Sequence, residues 1–175
     1  DPDVLRVLGR VQRELFVPGA YRALAFADTG VPIGQGQYMM TPRVEGRALQ
    51  ALGIGPADRV LEIGTGSGYL SACLALLGGE LTSLEILPDL AERARRNLHA
   101  AGVKDCRLIM ADVFDWRPTE KYSRIVLTGS LDERPDELGV AHFIEHMSFQ
   151  GTREMNEPAM LSLFRRAGLE YGSDV

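Results

Sequence analysis

The chain has 175 residues, a length that suits one ordinary domain with a hydrophobic core. Apolar residues make up 45% and charged residues 25%, as is usual for a soluble globular protein. The net charge of −5 argues against a protein that binds nucleic acid by neutralising phosphates. No apolar run approaches the roughly 18 residues of a membrane span. We therefore expect neither a nucleic acid nor a membrane as a partner.

Hydrophobic spacing and turn residues predict alternating helices and strands over the first part of the chain. A helix begins near Val4 and ends near Pro18, and residues 28–42 are expected to form an irregular loop because glycine and proline interrupt them. The following elements are predicted in chain order: helix Pro42 to Leu52, strand Val60 to Ile63, helix Tyr69 to Leu77, strand Leu81 to Glu85, helix Asp89 to Ala101, strand Arg107 to Met110 and strand Ser123 to Thr128. This alternation predicts an α/β fold with a parallel sheet.

The alternation stops after Gly129, where two helices are predicted with no strand between them, at residues 138–149 and 157–166. We therefore divide the chain into a domain over residues 1–128 and a helical segment over residues 129–175. Cys73 and Cys106 lie in apolar surroundings without a C-x-x-C motif, so we expect two reduced thiols.

Three alternating glycines follow the strand that ends at Ile63. A strand, then Gly64, Gly66 and Gly68, then a helix is the layout of a cofactor loop at the carboxyl end of a strand. The dinucleotide fingerprint requires a further glycine where this chain has Tyr69, which weakens an NAD interpretation. The alternative is a loop whose glycines only make a tight turn.

Carboxylates flank this loop. Glu62 precedes the glycines, Glu85 ends the next predicted strand, and Asp112 follows the third. S-adenosylmethionine carries a cationic amine and a sulfonium but no phosphate, so an acidic loop favours it over a dinucleotide. A carboxylate at Glu85 can accept both ribose hydroxyls, and we expect Asp112 beside the adenine. The predicted cofactor-binding residues are Glu62, Gly64, Thr65, Gly66, Gly68, Glu85 and Asp112.

Four motifs occur in order along the chain: F-V-P at residues 16–18, Y-R-A-L-A at 21–25, P-I-G-Q-G-Q at 32–37 and V-L-E-I-G-T-G-S-G-Y at 60–69. In this combination, residues 4 to about 130 resemble the protein-L-isoaspartate O-methyltransferases. The resemblance implies a Rossmann-like, S-adenosylmethionine-dependent methyltransferase sheet, here truncated after about four strands. It also implies protein repair by methyl transfer to an isoaspartyl carboxylate, and a cytoplasmic location.

The acceptor side departs from the pattern of that family. Its loop usually reads G-x-G-Q-T-I-S, with the serine near the reacting carboxylate. Met40 stands at the serine position and cannot donate a hydrogen bond, whereas the adjacent Thr41 can. We expect Gln37 and Thr41 to line the acceptor side and assign them as catalytic candidates. A different methyl acceptor stays open.

A second motif, H-x-x-E-H, lies in the predicted helix at residues 138–149. His142, Glu145 and His146 share one helix face because they are three and four residues apart. Two histidines can ligate zinc while the glutamate takes a proton from zinc-bound water. The alternative is a partly buried helix that merely carries these residues.

From Gly129 to about Asp174 the chain resembles the pitrilysin and insulinase family of zinc peptidases. By that resemblance, His142 and His146 are zinc ligands and Glu145 is the catalytic base. The third ligand of that family is a glutamate many tens of residues further on, and this sequence ends at Val175. We therefore expect a weak, incomplete zinc site and no peptidase activity.

The methyltransferase resemblance covers the longer part of the chain, so we predict an S-adenosylmethionine-dependent methyltransferase whose substrate is a carboxylate of a protein or peptide. The alternatives are a zinc-binding peptidase fragment and an inactive chimeric chain. The two patterns meet between Tyr122 and Leu131. An engineered chimera, a gene-assembly error and a natural fusion all remain open.

Overall fold

The computed structural model describes residues 1–128 and shows an α/β fold built on a parallel sheet. In chain order its helices and strands are α1 (Pro2–Arg10), two 3-10 helices (Arg13–Leu15 and Gly19–Leu24), β1 (Val31–Gly34), β2 (Gln37–Met39), α2 (Pro42–Leu52), β3 (Arg59–Ile63), α3 (Tyr69–Leu77), β4 (Glu80–Glu85), α4 (Pro88–Ala100), β5 (Cys106–Met110) and β6 (Arg124–Leu127).

Four parallel strands form the main sheet, in the order β5-β4-β3-β6. β3 lies inside the sheet, and its residues Val60, Leu61 and Glu62 are buried. Val60 packs in a large core with side chains from all four helices, whereas Leu61 faces a smaller core with Leu84, Val113 and Tyr122. The predicted Rossmann-like fold class is confirmed for the part of the chain that the structure describes.

Local signals in the sequence explain most of the helix boundaries. Thr41 caps the first turn of α2, where its hydroxyl accepts a hydrogen bond from Val44 N, and Gly53 ends the helix in the left-handed conformation. Gly68, in the left-handed conformation, precedes α3 without a side-chain cap, and Gly78, which also has a positive φ angle, ends it. The predicted bounds of α2 and α3 are confirmed.

Two expectations from the sequence are wrong. The N-terminal helix ends at Arg10 instead of near Pro18, because Val11 has extended backbone angles and a short 3-10 turn follows. Residues 31–39 form an antiparallel hairpin where a loop was expected, with Val31 opposite Met39. Its turn is tight because Gly34, Gln35 and Gly36 all have positive φ angles.

Cys73 and Cys106 are free, as predicted, and burial raises the pKa of each thiol to about 12. Within residues 1–128, no helix is both long and apolar enough to cross a lipid bilayer.

Candidate functional site

The glycine loop is a sharp turn between β3 and α3, held on the backbone of β4. The amides of Gly64 and Thr65 both donate to the carbonyl oxygen of Leu84, at 2.8 and 3.1 Å. The amide of Gly68 donates back to Thr65 O at 2.9 Å, which closes the turn. Gly64, Gly66 and Gly68 have φ angles of 98°, 56° and 86°, which L side chains rarely adopt.

Neighbouring side chains lie close beside two of these glycines. A Cβ at Gly66 would lie 3.3 Å from Cδ1 of Ile33 on the hairpin, and one at Gly68 would lie 3.3 Å from Cγ of Leu98 on α4. The hairpin and α4 therefore both pack against the loop. A tight turn of three glycines with positive φ angles between a strand and a helix is also the layout of a cofactor-binding loop.

Glu85 lies against the glycine loop, as the sequence predicted by its spacing. The residue ends β4 and is only 5% exposed. One carboxylate oxygen accepts from Gly66 N at 2.8 Å and the other from Leu87 N at 3.0 Å. Each oxygen of a carboxylate can accept a further hydrogen bond, so Glu85 retains capacity for ligand hydroxyls.

Asp112 follows β5 at the same edge of the sheet, because the carboxyl ends of parallel strands lie together. Its Oδ1 accepts from Phe114 N at 2.8 Å, which shapes the turn after the strand. The preceding residue, Ala111, donates its amide to Glu85 O at 3.0 Å. The backbones at Glu85 and Asp112 are thereby joined, and the side chain of Asp112 remains half-buried.

Glu62 lies below the loop and is fully enclosed, with 0% of its surface exposed. Oε2 accepts hydrogen bonds from the hydroxyls of Ser71 on α3 and Ser83 on β4, the latter at 2.6 Å. The Ser83 hydroxyl also lies 2.6 Å from that of Thr65 in the loop. The structure thus joins Glu62 to the loop through two hydroxyl groups, whereas the sequence suggested direct contact with a cofactor.

Burial is the main cause of an unusual pKa at Glu62. It raises the pKa of this carboxyl to about 7, although the hydrogen bonds from Ser71 and Ser83 act in the opposite direction. The nearby charge of Glu85 adds to the rise. Oε1 of Glu62 has no hydrogen-bond partner among the described residues.

The two acceptor-side candidates lie on and beside the hairpin. Gln37 begins β2 and is half-buried, and Thr41 caps α2. The hairpin is fixed to α4 by a hydrogen bond of 2.8 Å from Gln35 Nε2 to Asp89 Oδ2, and by Arg93, whose guanidinium donates to Ile33 O. Since Ile33 also packs beside Gly66, the hairpin is held against the glycine loop.

Arg13 is a buried charged residue that the sequence analysis missed. Its side chain is 1% exposed and forms an ion pair with Glu45, which is 2% exposed. It also donates to Ala25 O at 2.5 Å and to Met40 O at 2.6 Å, and it lies over the ring of Tyr69. Burial raises the pKa of the Glu45 carboxyl, and the Arg13 guanidinium opposes that rise. No local pattern distinguishes this arginine from a surface residue.

The predicted zinc ligands His142 and His146, and Glu145 between them, lie outside the described residues. Among residues 1–128 there is no group of three or more side chains that could hold a metal ion.

Two family models match the sequence. The model of protein-L-isoaspartate(D-aspartate) O-methyltransferase matches residues 1–140, and that of insulinase, peptidase family M16, matches residues 118–174. The protein-L-isoaspartate O-methyltransferase of Methanoculleus marisnigri is 42% identical over 139 residues, which is 79% of this chain and 63% of that protein. The enzyme of the same name from Aeropyrum pernix is 41% identical over 140 residues, which is 77% of this chain and 54% of that protein. The chain thus spans a little over half of each relative.

Solved structures agree on the fold. A protein of Plasmodium falciparum assigned to the protein-L-isoaspartate O-methyltransferases, solved in complex with S-adenosyl-L-homocysteine, superposes with a TM-score of 0.67 at 22% identity. The match covers 79% of this chain and 70% of that one. Another protein-L-isoaspartate O-methyltransferase gives 0.66 at 24% identity, over 78% of this chain and 46% of that one. A methyltransferase from Thiobacillus denitrificans, solved in complex with S-adenosyl-L-homocysteine, superposes with a TM-score of 0.52.

The raised pKa of Glu62 predicts a pH-dependent stability that E62Q removes. The folded state binds the proton more tightly than the unfolded state, whose pKa is 4.5, so this stability is full below that pH and is lost as the pH rises through about 7. A shift of this size corresponds to about 3 kcal/mol. We expect urea titrations at acidic and mildly alkaline pH to give a smaller difference in unfolding free energy for E62Q than for the wild type.

The exposed carboxylate of Glu80, at the other end of β4, provides the control for this measurement. The variant E80Q should retain the pH dependence of the wild type. Equal pH dependence in E62Q and the wild type would show that Glu62 does not titrate as its burial implies.

Proposed function

The chain belongs to the protein-L-isoaspartate(D-aspartate) O-methyltransferase family, and we propose that it binds S-adenosylmethionine and transfers a methyl group to the side-chain carboxylate of an isoaspartyl residue. The observation that carries this proposal is the contact between Glu85 and Gly66 at the carboxyl edge of the sheet. It joins the acidic residue predicted for the ribose to the glycine loop. The substrate is then a protein or peptide, and we propose a cytoplasmic location, which cell fractionation would check.

The residues at this edge fit S-adenosylmethionine in charge. Positive φ angles and the close contacts with Ile33 and Leu98 favour glycine at Gly66 and Gly68, which keeps the turn of the loop tight. The edge offers the carboxylates of Glu85 and Asp112, which favour a cationic ligand without phosphates. We propose the following residues as the cofactor site: Gly64, Thr65, Gly66, Gly68, Glu85 and Asp112, with Glu62 supporting Thr65 from below.

The reaction requires positioning more than proton transfer. When bound, S-adenosylmethionine supplies a methyl group on a sulfonium, and a carboxylate nucleophile is already ionised at neutral pH. The protein therefore needs no general base, and its main task is to hold the carboxylate in line with the methyl group. We propose that Gln37 and Thr41 hold the acceptor, with the hydroxyl of Thr41 as the donor that Met40 lacks.

E85Q tests the cofactor site. We expect S-adenosylhomocysteine to bind the wild type and to stabilise it by about 2.7 kcal/mol at a hundredfold excess over its dissociation constant. Glutamine at residue 85 has no charge and one acceptor oxygen fewer, so affinity should fall about tenfold or more. Calorimetric titration measures the affinity for S-adenosylhomocysteine of the wild type and of E85Q. The control E80Q, on the same strand, should bind like the wild type. Equal affinity in E85Q would exclude Glu85 from the site.

A pair of peptides tests the acceptor. We expect methyl transfer to a peptide with one isoaspartyl residue and none to the matched aspartyl peptide. T41V removes the hydroxyl and should lower kcat/KM about tenfold, the usual effect of one lost hydrogen bond to a charged group, whereas T41S should retain activity. Since T41V also removes the cap of α2, rates are compared well below its melting temperature. If T41V matches T41S, Thr41 has no role at the acceptor.

A weak zinc site at His142 and His146 is a separate proposal, supported by the peptidase-family match to residues 118–174. Two histidines alone bind zinc weakly. H146A should abolish the binding of zinc in equilibrium dialysis, and H99A, which changes an exposed histidine on α4, should not. Equal zinc binding by H146A and the wild type would refute the proposal.

A further inference from the structure

Arg13 connects the acceptor side of the proposed site to the start of α3. Its Nη2 donates to the carbonyl oxygen of Met40, the residue before Thr41. Its guanidinium lies 4.7 Å from the ring centroid of Tyr69, the first residue of α3 after the glycine loop. A single planar group therefore touches the backbone beside the acceptor candidate and the residue beside the loop.

The geometry of these contacts requires arginine. Three different nitrogens donate to three acceptors: Nε to Ala25 O, Nη1 to the Glu45 carboxylate and Nη2 to Met40 O. The guanidinium carbon also lies over the ring of Tyr69. Lysine has one nitrogen at the end of a flexible stem and no planar face, so it cannot reproduce this set of contacts.

Stability alone is a poor explanation for this cluster. A buried ion pair loses in desolvation much of what it gains in attraction, and apolar replacements of similar volume are often as stable. The pair of Arg13 and Glu45 is almost completely buried, so we expect its net contribution to the free energy of folding to be small. What the cluster does supply is a fixed relation between four segments of the chain.

We propose that Arg13 is a positioning residue that holds the Met40–Thr41 segment in register with the glycine loop, and so sets the alignment of the acceptor carboxylate. The kinetic part of this inference rests on the proposed methyl transfer. Alignment is the main requirement of that reaction, and a displacement of about 1 Å can lower a rate by about 100-fold. Binding of the cofactor, in contrast, depends on the loop and on Glu85.

R13K tests the proposal, because it keeps the positive charge beside Glu45 but loses the planar fork. We expect kcat/KM for the isoaspartyl peptide to fall about 10- to 100-fold, while the dissociation constant for S-adenosylhomocysteine changes less than about threefold. Hydrogen exchange should accelerate in residues 38–46 and stay unchanged in β3. R59K, a change in an exposed arginine at the opposite end of β3, should alter none of these.

E45Q separates alignment from general stability. It removes the counter-charge but leaves the hydrogen bond from Arg13 to Met40 O, so it should lower the melting temperature while kcat/KM stays within about threefold of the wild type. A loss of kcat/KM in E45Q as large as that in R13K would overturn the proposal. If R13K does not fold, a loss of more than about 10-fold in folded E45Q would overturn it.

The exchange measurement distinguishes this proposal from the proposed function. If the wild type methylates no isoaspartyl peptide, the function fails, and faster exchange confined to residues 38–46 in R13K still supports the positioning role. Uniformly faster exchange across the chain would overturn it.

Discussion

The packing around the glycine loop is the constraint on which the rest of the described structure depends. Leu84 O accepts two amides at the start of the loop, which fixes the turn on β4. Ile33 closes one side at Gly66, and Leu98 closes the other at Gly68. A side chain at either glycine would displace the hairpin or α4. The glycine loop therefore contacts the parallel sheet, the hairpin and α4 and fixes their relative positions. The proposed cofactor site lies at this same loop.

Polar groups buried below this loop extend the constraint into the core. Glu62 and Ser83 are paired across β3 and β4, so the register of the sheet itself brings the carboxylate and the hydroxyl together. Ser83 then reaches Thr65 in the loop. Burying an ionisable group without full compensation is costly. The cost of burying Glu62 is coupled to the geometry of the glycine loop, because the hydroxyl of Ser83 bonds to both Glu62 and Thr65.

The sequence predicted the sheet and helices well because their signals are local. Proline and glycine bound α2 and α3, and apolar runs mark the strands. The hairpin at 31–39 was missed because strands of four and three residues are too short to show alternation, and Gln35 adopts a left-handed angle that favours glycine. The cluster at Arg13 was missed because its partner Glu45 lies 32 residues away. Only tertiary contacts reveal that two charges share one buried position.

The distinction between local signals and tertiary contacts also applies to the site. Spacing alone placed Glu85 at the glycine loop, because the carboxyl ends of neighbouring parallel strands must meet. It could not decide whether Glu62, two residues before Gly64, faces a ligand or the core. Ser71 on α3 decides this, since the helix covers that face of β3 and supplies a hydroxyl to the carboxylate. A carboxylate beside a glycine loop can therefore act through the loop, as Glu62 does through Ser83 and Thr65. For Glu85, which contacts the loop directly, the role on the ligand is the one we propose.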